Sequence, residues 1–381
     1  MGSFLVAAYL LAAIIHLTTG TEQDLLFLRI TQAIGVLVFG YEVHCLMRER
    51  VLGGQYNHFR KMCGLLGVVL LLGVLSRLLR GEYYMLDFIY PISSISIASI
   101  MLHRRCSLMV WYVAFYGTAG YMFFLANASY HPSEWVYGSA NHVSVVIMSL
   151  SASVTLYHRY LHGSLPVLPS FVAFVLSLIA LGRAGILATG LMLLGCILVR
   201  LGNWRSMLGA LAVGFPLLVF LTVKSVDVVG LVAPRLQKFQ KRGLYSDPRM
   251  IVIEYYLDKL DGVGWIVGSD ISELEEGYTK LTTHNSFLNW HIKLGMGFFL
   301  LVGMCFYVGI YLFRRNMAFL VILVAVMVRG ATDEVMFIAH VTMDIPFTLL
   351  LLADDPRNWL QRPFRLPWMR LSAGRQQLAK G

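Results

Sequence analysis

Long apolar runs separated by short polar connections fill most of the chain, and one polar stretch, about Lys224 to Asn285, interrupts them. A membrane-crossing helix needs roughly 20 mostly apolar residues. By that measure the pattern predicts twelve spans, near 3–19, 25–47, 62–79, 85–102, 108–127, 140–157, 167–182, 184–200, 206–223, 286–312, 317–329 and 341–354. The seventh and eighth are divided only by Gly182-Arg183. The first apolar stretch, about Ser3 to Leu17, has neither a basic leader nor a small-x-small cleavage site, so a retained span is expected there, not a signal peptide. The expected fold is an all-α polytopic membrane protein of about 12 transmembrane helices, with one long periplasmic loop carrying a short amphipathic helix. Its parts are helices 1–9 over residues 1–223, the loop over 224–285, helices 10–12 over 286–354, and a basic cytoplasmic tail over 355–381.

Composition sharpens this picture. With 57% hydrophobic and 14% charged residues, the chain falls outside the range of soluble domains. Its net charge of +10 would invite a nucleic-acid partner in a soluble protein, but in a membrane protein basic residues first report topology. They occupy alternate connections: Arg48, Arg50, Arg60 and Lys61; Arg104 and Arg105; Arg159; Arg200 and Arg205; Arg314 and Arg315; then Arg357, Arg362, Arg365, Arg370, Arg375 and Lys380 in the tail. The positive-inside rule places these connections and both termini in the cytoplasm and the long loop outside, with no nucleic-acid partner. The basic tail is read as a topological anchor that touches anionic lipid. Cys45, Cys63, Cys106, Cys196 and Cys305 lie in or beside apolar spans without a CxxC pair, which points away from disulfides and metal sites. No fixed-period repeat is visible.

The loop is bipolar. Lys224 to Arg249 carries six basic residues (Lys224, Arg235, Lys238, Lys241, Arg242, Arg249) against Asp227 and Asp247. From Met250 to Asn285 the balance reverses, with Lys259 and Lys280 against Glu254, Asp258, Asp261, Asp270, Glu273, Glu275 and Glu276. An anionic partner outside the membrane would explain the basic half; a solvated surface would too. Ser246-Asp247-Pro248 reads as a helix start, with Asp247 at the N-cap and Pro248 at the first helical position. Met250, Ile253, Tyr256, Leu257 and Leu260 then recur at helical spacing up to Gly262, and that stripe should rest on the membrane domain. Arg249 in the first turn opposes the helix dipole unless an anion sits there. Pairing with Asp247 is the competing explanation.

Arg183 stands at the predicted outer membrane edge between glycines that permit close helix approach. An arginine at that depth is costly unless it is paired or snorkels, which makes it a candidate for function. Arg329 returns to the same face beside Asp333 and Glu334, where it either pairs with a carboxylate or binds an anion. Arg77, Arg80 and Asp87 gather there too, and mutual pairing accounts for them. His284 is either an interfacial histidine or a general base, since imidazole titrates near neutral pH. His291 is read as buried packing or as a supporting partner.

These elements resemble the O-antigen polymerase and O-antigen ligase superfamily of bacterial envelope proteins. The family's periplasmic loop leads into a His-Asn-x-x-Leu element and a glycine-bearing span, similar to His284-Asn285-Ser286-Phe287-Leu288 followed by Gly295. Its Arg-Gly-rich span start looks like Gly182-Arg183-Ala184-Gly185-Ile186-Leu187, and its arginine, amphipathic helix and Gly-x-Gly look like Arg249 with Gly262-Val263-Gly264. The resemblance covers roughly residues 170–350. Phe298 departs from it, since the family often carries glycine three residues after the position of Gly295. It implies an inverting glycosyltransferase of the bacterial inner membrane that takes a glycan from undecaprenyl diphosphate at the periplasmic face, with no metal or other cofactor. It would assign His284 to activating the acceptor hydroxyl, Arg183, Arg249 and Arg329 to the diphosphate, and Asn285, Asp333 and Glu334 to support. The acceptor is a growing O-antigen or exopolysaccharide chain for a polymerase and lipid A-core for a ligase; other polysaccharide-assembly proteins are conceivable partners alongside membrane lipids. Two readings of other classes compete: a permease or flippase for a lipid-linked sugar, which would line a midplane path with polar groups, and a non-catalytic scaffold.

Overall fold

The computed structural model describes residues 1–19, 23–49, 57–83, 85–128, 135, 140–180, 182–200, 248–269, 285–333, 335–337 and 344–353. Among these there is no strand. The helices are α1 (Gly2–Thr19), α2 (Gln23–Glu49), α3 (Asn57–Leu79), α4 (Ile89–Leu102), α5 (Leu108–Asn127), α6 (Ala140–His162), α7 (Leu168–Ile179) and α8 (Arg183–Arg200). Within the polar stretch lie α9 (Pro248–Lys259) and α10 (Gly264–Val267), and after it follow α11 (Ser286–Leu294), α12 (Met296–Arg315), α13 (Met317–Ala331) and α14 (Asp344–Leu352). The expected ninth span, 206–223, most of the loop and the tail lie outside the described residues.

Among the described residues, four helical stretches are long and apolar enough to cross a membrane: Leu26–Met47, His58–Leu79, Leu108–Asn127 and Met296–Arg315. Their outward faces are bare hydrocarbon, with Leu71, Leu75 and Leu78 exposed on α3 and Phe306, Ile310 and Phe313 on α12. Contiguous apolar patches of that extent are rare on soluble monomers, whereas lipid covers them without penalty. The centre of the bundle is built differently. Every residue of α14 is buried, and α14 packs on α4 and α6. The middle of α6 is also enclosed and is rich in hydroxyls: Ser144, Ser149, Ser151, Ser153 and Thr155 are all buried.

The predicted tenth span is corrected. In place of one helix over 286–312 the chain breaks at Gly295, which adopts φ +49° between α11 and α12. A Cβ at Gly295 would lie 2.2 Å from the carbonyl oxygen of Val267 and 2.5 Å from Ser76 Oγ, so only glycine fits. Hydropathy is continuous through this point. The break comes from another part of the chain passing close by.

Contacts sort the helix termini into two ends. At one, Ser107 N donates to Ser3 Oγ (2.8 Å), Arg105 Nη1 donates to Glu42 Oε2 (2.6 Å), Phe59 packs edge-on against His103, and Tyr160 Oη donates to the Leu102 carbonyl. This end therefore collects the basic termini of α2, α3, α4 and α6. At the other end lie the end of α3, the starts of α4, α6, α8, α11 and α12, the end of α13, and α9 with α10.

Candidate functional site

The second end is where the polar loop rejoins the bundle, and three sequence-predicted positions converge there. Asn285 is the N-cap of α11: its Oδ1 accepts from the backbone amides of Phe287 (2.9 Å) and Leu288 (3.3 Å), which satisfies two of the orphan donors of the first turn. The next residue, Ser286, is fully buried and acts as a hub. Its hydroxyl donates to the carbonyl of Asp333 (2.8 Å) and accepts from the amides of Val335 (2.9 Å) and Met336 (3.1 Å). Trp290, one turn on, donates Nε1–H to the Met336 carbonyl at 2.7 Å. The segment after α13 is thus held against the start of α11, and Phe337 takes φ +44° there with its amide bound by Asp344 Oδ1. A bulky residue in the left-handed region is strained and persists only where its surroundings over-determine it.

Arg329 is fully buried. Its guanidinium reaches Asp333 Oδ2 at 3.2 Å, Thr332 Oγ1 at 3.1 Å and the carbonyl of Asn141 at 3.1 Å. Of its two expected roles, the ion pair with Asp333 is the one present here. Asn141 also borders the start of α8: a Cβ at Gly182 would lie 3.2 Å from Asn141 Oδ1, and one at Gly185 only 2.2 Å from Ser144. The glycines flanking Arg183 do permit the close approach expected of them. The side chains of Arg183 and Arg249, and the residues His284 and Glu334, lie outside the described part.

A second cluster attaches the described part of the loop. Helix α9 begins at Pro248 as expected, but its buried face is Val252, Tyr256 and Leu260, while Leu257 points outward. Tyr256 and Leu260 pack on Ile292 and Leu288 of α11. Tyr256 Oη lies 2.7 Å from His291 Nδ1, and His291 Nε2 lies 3.0 Å from the Trp265 carbonyl. A carbonyl only accepts, so Nε2 carries the proton and Nδ1 accepts from the tyrosine hydroxyl. His291 sits on α11, outside the candidate span that begins at Met296. Burial lowers its pKa, and burial pushes the Tyr256 phenol up to about 12. The pair therefore stands neutral at pH 7.

Beside it, Arg77 Nη2 pairs with Asp87 at 3.0 Å, and Lys293 Nζ approaches the same carboxylate at 3.4 Å. Mutual pairing of Arg77 and Asp87 was expected. Arg80 instead clamps backbone: Nη1 donates to the carbonyls of Ile292 (2.6 Å) and Val267 (3.0 Å), while the guanidinium pairs with Glu82 at 2.9 Å. Phe298, where the family resemblance expects glycine, places its ring 5.2 Å from His291. Sequence reasoning missed Ser286 as a hub and the Tyr256–His291 pair. The Asn-Ser start before a helical run could have signalled the cap; nothing in the sequence pairs positions 35 residues apart.

No family model, curated protein or solved structure matches the chain.

Proposed function

We propose that this chain is a metal-independent inverting glycosyltransferase of the bacterial inner membrane. It would cross the membrane about twelve times with both termini cytoplasmic, and move a glycan from undecaprenyl diphosphate to an acceptor hydroxyl at the periplasmic face. An O-antigen or exopolysaccharide polymerase is the preferred form; a ligase to lipid A-core shares the donor chemistry and differs in acceptor. The observation that carries the reading is the meeting, at one end of the bundle, of the α8 start bearing Arg183, the Arg329–Asp333 pair, and the α11 start that directly follows His284.

In this reading His284 removes the acceptor hydroxyl proton, the oxygen attacks the anomeric carbon opposite the diphosphate, and configuration inverts. Arg183 and Arg249 meet the charge that develops on the departing diphosphate. Arg329, enclosed and bonded, contributes by position: it ties Asp333 and the α6 start to the wall of the site, and Asn285 holds the α11 terminus. The resemblance supplies the donor and acceptor classes; the convergence of the α8 and α11 starts with the Arg329–Asp333 pair supports a common site at that end.

The test is transfer from purified carrier-linked donor by the His284→Gln protein. Loss of a general base costs about 10²–10⁴-fold in rate, with donor binding retained. Transfer near the wild-type rate would remove His284 as the base. A permease or flippase remains the second reading because of one observation: Ser151, Ser153 and Thr155 on α6 and Thr348 on α14 are buried with hydroxyls that meet no hydrogen-bond partner among the described residues. Buried orphan hydroxyls are the sort of group a polar cargo or its water would satisfy. Movement of a labelled lipid-linked sugar across proteoliposomes without transfer would favour it.

A further inference from the structure

The elbow between α9 and α11 has two faces of opposite character. Gly264 and Val267 turn inward, whereas Val263, Trp265 and Ile266 point out with 69%, 52% and 54% of their surfaces exposed. Backbone bonds fix the height of this elbow. Arg80, just past the last turn of the span His58–Leu79, holds the Val267 carbonyl, and His291 holds that of Trp265. Gly268, at φ +80°, lies so close to α11 that a Cβ would sit 2.5 Å from the His291 carbonyl oxygen. Gly295, which opens the next span at Met296, presses on the Val267 carbonyl from the other side. The elbow is therefore level with the point where two candidate spans end.

Exposed apolar residues stand at that level on the spans as well. Leu78 and Leu79 are exposed at the end of α3, and Phe299 is exposed in the first turn of α12 with its ring 5.7 Å from His291, whose other face of bonding is Trp265. Tryptophan, with an apolar body and one N–H, favours the headgroup level of a bilayer. Charges beside the elbow offset one another: Arg80 pairs with Glu82, Arg77 and Lys293 share Asp87, and Lys259 stands between Asp258 and Asp261, so anionic headgroups would gain little there.

We infer that the Val263–Trp265–Ile266 elbow inserts into the interfacial layer of the leaflet on the loop side, docking by apolar contact to the lipid surface. It pins the described part of the loop to the membrane beside the α11 start. The inference rests on membrane embedding and is independent of whether the chain transfers or transports glycan.

The test uses Ile266→Cys and, as a second site, Val263→Cys in full-length protein lacking the five native cysteines. Each is labelled with bimane and reconstituted in phosphatidylcholine vesicles, after gel filtration has confirmed a monodisperse fold. A nitroxide near the lipid carbonyls should quench either label several-fold more than one near the chain ends, and aqueous iodide should quench it weakly. A label at Glu254→Cys, on the exposed side of α9, should show the reverse. Adding phosphatidylglycerol should change nothing. Quenching by iodide alone would put the elbow in water, shielding from both quenchers would put protein over it, and a requirement for anionic lipid would make the contact electrostatic; each overturns the inference.

Discussion

The two ends of the helical bundle are both crowded with charge, yet they are joined in different ways. At the end that gathers the basic connections, Glu42 is the keystone: buried, it binds Ser99, His103 and Arg105, and so ties α2 to the end of α4 by side chain alone. At the loop-side end, beside the Arg77–Asp87, Arg329–Asp333 and Tyr256–His291 pairs, a set of bonds runs from side chain to backbone. Arg80 grips two carbonyls, His291 a third, Arg329 a fourth, and Ser286 one carbonyl and two amides. Side-chain clamps fix helices to helices. Side-chain-to-backbone bonds fix irregular segments, and irregular segments are where binding groups are presented.

Breaking the first kind of joint should have the largest effect. Glu42→Ala leaves the Arg105 guanidinium without its short ion pair, and loss of one partner of a buried pair costs about 3–5 kcal/mol. The thermal midpoint in detergent should fall steeply. A shift no larger than that of an exposed substitution would show that the keystone carries no load.

The joint at Gly295 should rank next. Gly295→Ala places a residue in a conformation that costs about 1–3 kcal/mol and drives a methyl into the Val267 carbonyl. The expected result is release of α9 and α10 from α11, seen as faster hydrogen exchange over 252–268 with the Glu42-centred end unchanged. Equal loss of protection at both ends would mean that they unfold as one unit.

The smallest effect separates the ends by pH. Burial holds the His291 pKa below its usual value of about 6.5, and the Arg80 cation acts in the same direction. A histidine depressed in the folded state contributes its full stability above the unfolded value and loses it as pH falls. Docking of α9 should thus be complete at pH 7.5 and loosen on acidification towards pH 5, read as protease access to α9. Tyr256→Phe removes one hydrogen bond, worth about 1 kcal/mol, and should weaken docking at neutral pH while shrinking that pH dependence. An unchanged profile would assign the acid response to another group.

Local pattern was legible wherever one stretch of chain decides its own conformation. Within the described residues the apolar runs fold as helices, although the tenth breaks at Gly295; α9 starts at Pro248, and the glycines around Arg183 meet α6 as their small size predicts. The assignment failed where a neighbour decides. The buried stripe of α9 includes Val252 and excludes Leu257, because the angle at which α11 crosses it selects the face and periodicity leaves neighbouring positions equivalent.

The sequence alone determined that this is an all-helical chain with apolar faces too extensive for water, since helix length and hydrocarbon content are local sums. It also segregated the basic connections, because charge placement is written residue by residue. Only the tertiary structure decided that the tenth run breaks at Gly295, that Arg329 also reaches the Asn141 carbonyl, and that Tyr256 finds His291. Each of these depends on the approach of a distant carbonyl or ring to within hydrogen-bonding or van der Waals distance. Such meetings arise from packing the helices together and have no trace in the order of residues along any one of them.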